Sequence, residues 1–131
     1  NDAPATHDHY TAVPYIDDME AAYAVADVVV CRSGAMTVAE NSAAGIPAIY
    51  IPLPHGNGEQ GLNSAHLVDA GAALRIDDAA LSGDVLVDKL LPLVAPEARA
   101  TMRAALKDSG AGSVAEDLAA RIAAAAGKDT K

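Results

Sequence analysis

The sequence predicts an α/β domain in which helices flank a parallel sheet. Short apolar runs alternate with single helical patterns along most of the chain, as in right-handed βαβ units. About half of the 131 residues are hydrophobic, yet Trp and Phe are absent and there are only four Tyr. The core must therefore be aliphatic, which suits helices packed on a buried parallel sheet. A chain of this length is one domain in size and can bury a sizeable core.

Each element is predicted from apolar periodicity and from residues that start or stop a helix. The strands are expected at Thr11–Tyr15, Val28–Cys31, Ala48–Ile51 and Ala73–Ile76. The helices are expected at Met19–Ala26, Met36–Ala44, Leu62–Ala70, Val85–Leu91, Glu97–Lys107 and Ser113–Ala126. Asp18 is a candidate cap for the first helix, and Gly45 is expected to end the second. Either Ser82 or Asp84 caps the fourth, and the run Val28–Cys31 is expected to be buried on both faces.

The expected organisation is an irregular segment or loop at residues 1–9, an α/β domain at 10–94, C-terminal helices at 95–127 and a tail at 128–131. His7 and His9 are potential metal ligands, with Asp8 between them. In an extended segment, however, Asp8 points away from the two histidines, and no Cys or further His follows at ligand spacing. We therefore expect a solvated loop here and no metal site.

Charge and cysteine content exclude several classes of function. The formal net charge of −9 argues against binding to nucleic acid, and it makes electrostatic docking on anionic lipid unfavourable. Cys31 is the only cysteine, so no internal disulfide is possible, and a small buried thiol in a reducing compartment is expected. No secretory signal or apolar run of transmembrane length is visible, which predicts a cytoplasmic protein.

The stretch Asp27–Glu40 carries the strongest functional signal. An apolar run stops at Arg32-Ser33-Gly34 and is followed by a helical pattern, so the first N–H groups of a helix point beyond the end of a strand. These donors and the positive pole of the helix favour an anion. Glu40, further along the helix, can accept hydrogen bonds from a pair of sugar hydroxyls. Phosphate near the turn and ribose near the acid together suggest a nucleotide.

A capping box formed by Thr37 and Glu40 is the alternative interpretation of that acid. A helix that starts at Gly34 or Ala35 leaves Glu40 free, whereas a start at Val38 consumes it in the cap. The two interpretations therefore differ in a helix boundary.

Other residues offer weaker signals. The loop Gly56–Gly61 is either a flexible surface loop or a segment whose side chains bond hydroxyls of a ligand. Arg32 is the sole cation near the expected anion site, and it either faces the anion or bridges neighbouring loops. Spacing alone supports no Ser/His/Asp set, and the chain has no P-loop or GxGxxG motif.

Several of these stretches resemble one family. They are Tyr15–Met19, Ala26–Glu40, Ala44–Ala48, Pro52–Gln60, Asn63 and Asp69–Ala72. From about Tyr10 to Val94 the chain is similar to the nucleotide-binding domain of the MurG family, the bacterial peptidoglycan N-acetylglucosaminyltransferases. The resemblance implies a Rossmann-like sheet that forms the C-terminal half of a GT-B glycosyltransferase. That family moves N-acetylglucosamine from UDP-N-acetylglucosamine to a lipid-linked muramyl-pentapeptide, with inversion, and the product is lipid II.

The resemblance also implies roles for individual residues. Ile16 would meet the uracil through its backbone, Glu40 would hold the ribose hydroxyls, and Gln60 would bond hydroxyls of the N-acetylglucosamine. The implied substrate-binding set is Ile16, Ala35, Met36, Thr37, Val38, Ala39, Glu40 and Gln60, with Met19, Arg32, Ser33, Gly34, Glu59 and Asn63 as further candidates. Many relatives have two consecutive glutamines where this chain has Glu59-Gln60, and an ionised acid accepts hydrogen bonds but cannot donate them.

The same comparison implies that much of the enzyme lies outside this chain. The glycine-rich loops, the acceptor-binding domain and the proposed catalytic base of the family all precede the matched region. We therefore expect a fragment or an isolated C-terminal domain that has no catalytic residue or cofactor, binds the donor weakly and catalyses nothing alone. The full-length protein would be peripheral on the cytoplasmic face of the plasma membrane. The alternatives are a UDP-sugar-binding subunit of a split glycosyltransferase, a GT-B-fold UDP-N-acetylglucosamine epimerase, or a nucleotide-binding module without chemistry.

Overall fold

A three-stranded parallel sheet organises the computed structural model, which describes Thr6–His7 and residues 9–54 and 58–110. A short antiparallel pair, β1 (Thr6–His7) and β2 (Tyr10–Thr11), precedes it. The parallel strands are β3 (Val29–Cys31), β4 (Ala48–Tyr50) and β5 (Leu74–Arg75), in the order β3-β4-β5. The helices are α1 (Met19–Val25), α2 (Ala35–Ala44), α3 (Glu59–Asp69), α4 (Gly83–Leu90) and α5 (Pro96–Asp108), with 3-10 turns at Asp78–Ala80 and Leu91–Val94. The α/β class predicted from the sequence is confirmed.

The core lies on both faces of the central strand β4. Tyr50 is buried on one face in a cluster with Val38, Leu67 and Leu106. Ile49 is buried on the opposite face with Ile51, Ile76, Leu93 and Met102. Because successive side chains of a strand point to opposite faces, one short strand anchors both layers. The layers are aliphatic except for Tyr50, a departure from the wholly aliphatic core that the sequence predicts. They hold the carboxyl ends of the strands at one edge, where the predicted site residues at 32–40 and 59–63 follow.

The strand predicted at Thr11–Tyr15 is wrong in extent and in partner. Only Tyr10–Thr11 is extended in a ladder, and it pairs antiparallel with Thr6–His7, within the segment where a loop is expected. Residues 12–18 have no regular structure and are exposed. Pro14 has no N–H to donate to a ladder, and no strand of the described sheet lies beside this segment.

The prediction that Val28–Cys31 is buried on both faces is also wrong. Val29 and Cys31 are half-buried, but Val30 is 39% exposed on the other face. The reason is position, because β3 is an edge strand of the described sheet and only β4 pairs with it. An apolar run therefore predicts the strand correctly, but it does not predict whether both faces of that strand are buried.

The predicted helix signals are mostly confirmed. The Asp18 carboxylate accepts a hydrogen bond from the Ala21 N–H at 3.0 Å, a cap that contributes about 1 kcal/mol. Gly45 ends α2 with φ of 70°, a left-handed conformation that favours glycine. The fourth helix is capped by Ser82 rather than Asp84, since its hydroxyl accepts from the Val85 N–H at 3.2 Å. The helix predicted at Ser113–Ala126 lies outside the described residues.

Helix α3 begins earlier than predicted. Its first residue is Glu59, not Leu62, and the preceding Gly58 has φ of 78°. Glu59 and Gln60 are therefore helical rather than part of the glycine-rich loop, and residues 55–57 of that loop lie outside the described part of the chain. Within the residues that the structure describes, no helix has the length and apolar character needed to cross a membrane.

Candidate functional site

The start of α2 decides between the two interpretations of Glu40. The helix begins at Ala35, with Gly34 as its N-cap in an extended conformation, and the Val38 N–H donates to the Gly34 carbonyl at 3.0 Å. Thr37 therefore lies inside the first turn and does not cap the helix. The capping box is excluded. Gly34 also brings no side-chain cap, so the N–H groups at the start of the helix lack that partner.

A cavity of about 300 Å³ lies between α1, β3 and α2. It is lined by Ile16, Met19, Ala22, Tyr23, Ala26, Val29, Cys31, Thr37, Glu40 and Asn41. Four predicted site residues from two separate stretches of sequence, Ile16 and Met19 before and in α1 and Thr37 and Glu40 in α2, are thus brought to one place. The volume is at the lower end of the range typical of small-molecule sites. We call it the nucleoside cavity, after the ligand group that the sequence analysis predicts for it.

Tyr23 holds the Glu40 carboxylate at the wall of this cavity. Its hydroxyl donates to Oε2 of Glu40 at 2.7 Å. Burial, followed by the hydrogen bond and the charge of Glu40, raises the pKa of Tyr23 from 10.0 to about 12, so the hydroxyl stays protonated and donates at neutral pH. Glu40 is exposed, and within the described part of the chain its Oε1 atom accepts no hydrogen bond. The carboxylate is thus oriented through one oxygen and open through the other.

A buried polar cluster lies beneath the same cavity. The Asn41 amide donates to the Tyr50 hydroxyl at 3.3 Å and to the Cys31 sulfur at 3.5 Å. Burial raises the pKa of Tyr50 to about 12, and burial likewise raises the pKa of the Cys31 thiol. The raised pKa disfavours the thiolate of Cys31, which is half-buried rather than fully buried as the sequence predicts.

The turn before α2 is tied to the start of α3. Ser33 is completely buried, and all three of its polar groups are bonded. Its N–H donates to Oε1 of Gln60 at 3.3 Å, its hydroxyl donates to the Gln60 carbonyl at 2.7 Å, and its carbonyl accepts from the Asn63 amide at 2.9 Å. We call Ser33, Gln60 and Asn63 the brace.

Gln60 also bonds the loop that follows β4. Its Oε1 accepts from the Leu53 N–H at 2.9 Å in addition to the Ser33 N–H. The side-chain oxygen of Gln60 is therefore engaged within the protein. Its amide nitrogen makes no hydrogen bond to the residues that the structure describes, so it is the atom left to donate to a ligand.

Arg32 bridges neighbouring loops. Its guanidinium donates to Oδ1 of Asp78 at 2.6 Å and to the Ile51 carbonyl at 3.2 Å. Because its charge is paired with Asp78, Arg32 is tied to the end of the sheet rather than being a free cation at the start of α2. This geometry matches the interpretation of Arg32 as a bridge between neighbouring loops rather than as a cation that faces the anion.

The remaining predicted residues differ in what they expose. Met36 is 47% exposed at the start of α2, whereas Val38 packs in the core and has only its backbone to offer. Ala35 and Glu59 are exposed, while Ala39 and Gly34 are half-buried. Over the described ranges, no group of three or more His, Cys, Asp or Glu side chains is placed to hold a metal ion.

Sequence reasoning missed Tyr23, Asn41 and the internal bonds of Ser33. Tyr23 and Glu40 are 17 residues apart, and Ser33 and Asn63 are 30 apart. No local pattern links such positions. The carboxyl ends of parallel strands lie at one edge of a sheet, so the sequence indicates which turns meet there. It does not indicate which atoms of those turns bond one another.

The chain matches the model of the glycosyltransferase family 28 C-terminal domain over residues 1–122. It is 54% identical, over 125 residues, to the UDP-N-acetylglucosamine--N-acetylmuramyl-(pentapeptide) pyrophosphoryl-undecaprenol N-acetylglucosamine transferase of Corynebacterium glutamicum strain R, covering 95% of this chain and 35% of the relative. The enzyme of the same name from Mycolicibacterium smegmatis is 57% identical over 102 residues, 77% of this chain and 26% of the relative. The chain thus spans about a third of the length of these curated relatives.

The fold is shared with solved structures. The crystal structure of MurG from Acinetobacter baumannii superimposes with a TM-score of 0.68 at 32% identity, covering 81% of this chain and 32% of that one. The glycotransferase of kitacinnamycin matches with a TM-score of 0.52 at 29% identity, over 77% of this chain and 26% of the other. The chain therefore belongs to the glycosyltransferase family 28 C-terminal domain family, and it corresponds to the C-terminal part of the GT-B fold in MurG proteins.

Proposed function

We propose that this chain is the donor-binding domain of an inverting N-acetylglucosaminyltransferase of the MurG type. It would hold UDP-N-acetylglucosamine while a lipid-linked muramyl-pentapeptide, bound by a part of the enzyme outside this chain, accepts the sugar to form lipid II. The observation that carries the proposal is the nucleoside cavity beside the uncapped start of α2, with Ile16, Thr37 and Glu40 on its lining. The proposal includes a cytoplasmic location on the inner face of the plasma membrane.

The nucleoside cavity suits uridine. The backbone of Ile16 lies in an exposed segment without regular structure, where an N–H and a C=O can pair with the complementary edge of uracil. Adenine also presents one donor beside one acceptor, but on a two-ring base and farther from the ribose, so a backbone placed for uracil does not meet them in the same pose. Met19 and Ala22 supply apolar surface for the base. Glu40 accepts from the ribose hydroxyls through the oxygen that Tyr23 leaves open.

The start of α2 suits the diphosphate. The N–H groups of Ala35, Met36 and Thr37 are at the positive pole of a ten-residue helix, and no side chain in the described part of the chain caps them. In the transfer, the acceptor oxygen forms a bond to the anomeric carbon while the bond from that carbon to the UDP oxygen breaks. UDP leaves with the bonding electron pair, and the helix N-terminus stabilises the negative charge that develops on it.

The first turns of α3 suit the sugar. The amide nitrogen of Gln60 donates to a hydroxyl of N-acetylglucosamine, since its oxygen is already engaged with Ser33 and Leu53. Glu59 is exposed at the start of the same helix and accepts from a hydroxyl. The acceptor hydroxyl gives its proton to a base in a part of the enzyme outside this chain, and we propose no general base within it.

Calorimetric titration of the 131-residue chain with UDP-N-acetylglucosamine, UDP and ADP tests the proposal. We expect UDP and the UDP-sugar to bind at least about tenfold more tightly than ADP, the effect of roughly 1.4 kcal/mol of base recognition. Equal affinity for uridine and adenosine ligands would contradict the proposal, provided that circular dichroism shows a folded chain.

A further inference from the structure

We infer that Ser33 is a positioning residue, which fixes the N-terminus of α2 against α3 so that its N–H groups are already aligned for a diphosphate. The inference deepens the proposed function and rests on it. It assigns to Ser33 a role without ligand contact, carried out together with Gln60 and Asn63.

The burial and bonding of Ser33 carry the inference. The residue has no exposed surface, so it is not available to a ligand. Each of its polar groups bonds a group of α3 or its side chains, at 2.7 Å from the hydroxyl to the Gln60 carbonyl and at 2.9 Å from the Asn63 amide to the Ser33 carbonyl. Three bonds from one residue to one neighbouring helix fix both the distance and the rotation of the turn.

The construction of α2 makes such support necessary. Gly34 caps the helix with backbone only, so no local side chain fixes the direction of the first turn. A side-chain cap would occupy the donors that an anion needs. The brace orients the turn from the side instead, and leaves the N–H groups of Ala35, Met36 and Thr37 available.

Gln60 extends the brace to a third segment. Because its Oε1 accepts from both Ser33 and Leu53, the turn after β3 and the loop after β4 move together with the start of α3. Donors that are aligned before the ligand arrives bind it without a cost of ordering. Loosening the brace should therefore weaken phosphate binding and leave nucleoside binding unchanged.

The ratio of the dissociation constants of uridine and UDP isolates this effect. Uridine reaches only the nucleoside cavity, whereas UDP also reaches the start of α2, so the ratio measures the contribution of the diphosphate. Neither ligand carries N-acetylglucosamine, so any contact of Gln60 or Asn63 with that sugar does not enter the measurement. Both constants come from calorimetric titration of the 131-residue chain.

The variants are Ser33→Ala, which removes one bond, and Asn63→Leu, which leaves the Ser33 carbonyl without its donor. We expect each to lower the ratio by about fivefold, the effect of one hydrogen bond, with the uridine constant unchanged. Ser64→Ala is the matched control, because Ser64 is equally buried, lies on the same helix as Asn63, and has a hydroxyl with no partner among the residues that the structure describes. That control should leave both constants unchanged.

Hydrogen exchange provides a readout without ligand. In the wild-type chain the Ser33 and Leu53 amides are bonded to Gln60, and Gln60→Met should accelerate exchange at both, with the amides of β4 unaffected. A ratio that stays constant in Ser33→Ala and Asn63→Leu, in a wild-type chain that binds UDP more tightly than uridine, would overturn the inference and leave the proposed function intact. A wild-type chain that binds neither ligand would overturn both.

Discussion

The nucleoside cavity and the brace both adjoin the start of α2, but they are built differently. In the cavity, one hydrogen bond joins two side chains at the surface, Tyr23 and Glu40, and open atoms remain for a ligand. In the brace, Ser33 is completely buried and each of its own polar groups is engaged. Recognition of particular groups requires atoms left unsatisfied, whereas alignment of a backbone requires atoms fully satisfied. Substitutions in the cavity should therefore change which nucleotides bind, and substitutions in the brace should change how strongly phosphates bind.

Among these substitutions, Glu40→Ala should have the largest effect on UDP affinity. Hydrogen bonds to a charged group contribute about 1.5–3 kcal/mol, so UDP affinity should fall by about tenfold to a hundredfold. The affinity of 2′,3′-dideoxy-UDP, which lacks the hydroxyls, should be nearly unchanged in calorimetric titrations. Equal losses for both ligands would mean that Glu40 supports the fold of α2 rather than the ribose.

Tyr23→Phe should have a smaller effect through the same carboxylate. Removing the hydroxyl frees Glu40 to rotate, and we expect UDP affinity to fall by about fivefold, the effect of one hydrogen bond. The same substitution in a Glu40→Ala background should change nothing, which a double-mutant cycle measures. Tyr15→Phe is the control, since Tyr15 is 77% exposed. A loss that persists without Glu40 would assign Tyr23 a contact of its own.

The tyrosine hydroxyls also predict a pH dependence of stability. The pKa of Tyr50 is raised in the folded chain from 10.0 to about 12, so the unfolded chain loses this proton first. The contribution of Tyr50 to the free energy of unfolding should be fully present below pH 10, decline as the pH rises from 10 to 12, and be lost above about 12. Urea unfolding measured across this pH range should show a shallower decline of the free energy of unfolding in Tyr50→Phe than in the wild-type chain. An identical decline in the variant would assign the effect to other groups.

Arg32→Gln should have the smallest effect. An exposed ion pair contributes up to about 1 kcal/mol, so the loss of the bridge to Asp78 should lower the free energy of unfolding by no more than that. UDP affinity should change by less than about threefold, the equivalent of well under 1.4 kcal/mol. A tenfold loss for UDP with no change for uridine would instead place the guanidinium on the diphosphate.

The elements that the sequence predicted well are those fixed by neighbours in the chain. Asp18 caps α1 because the N–H it bonds is three residues away, and Gly45 ends α2 because only glycine readily adopts its conformation. The central strand β4 was predictable because its apolar run is buried on both faces. The strand predicted at Thr11–Tyr15 failed because a strand also needs a partner, and the pattern of one segment does not supply it.

The segments that form the site were predictable, but the hydrogen bonds between their side chains were not. The resemblance placed Ile16 and Glu40 on one nucleoside and Thr37 at the helix start beside it, and all three line one cavity. The internal bonding of Gln60 and the hydroxyl of Tyr23 depend on side-chain geometry across sequence separations of 17 and 27 residues. Spacing in one sequence carries no signal for such contacts.

The central claim is that the nucleoside cavity and the braced turn hold one UDP molecule between them. Amide chemical shifts recorded during titration test it directly. We predict that UDP shifts the amides of Ile16 and Glu40 and those of Ala35 and Met36 with a single dissociation constant. Uridine should shift only the first pair, and inorganic pyrophosphate only the second. Two different constants for UDP, or shifts confined to one pair, would contradict the account.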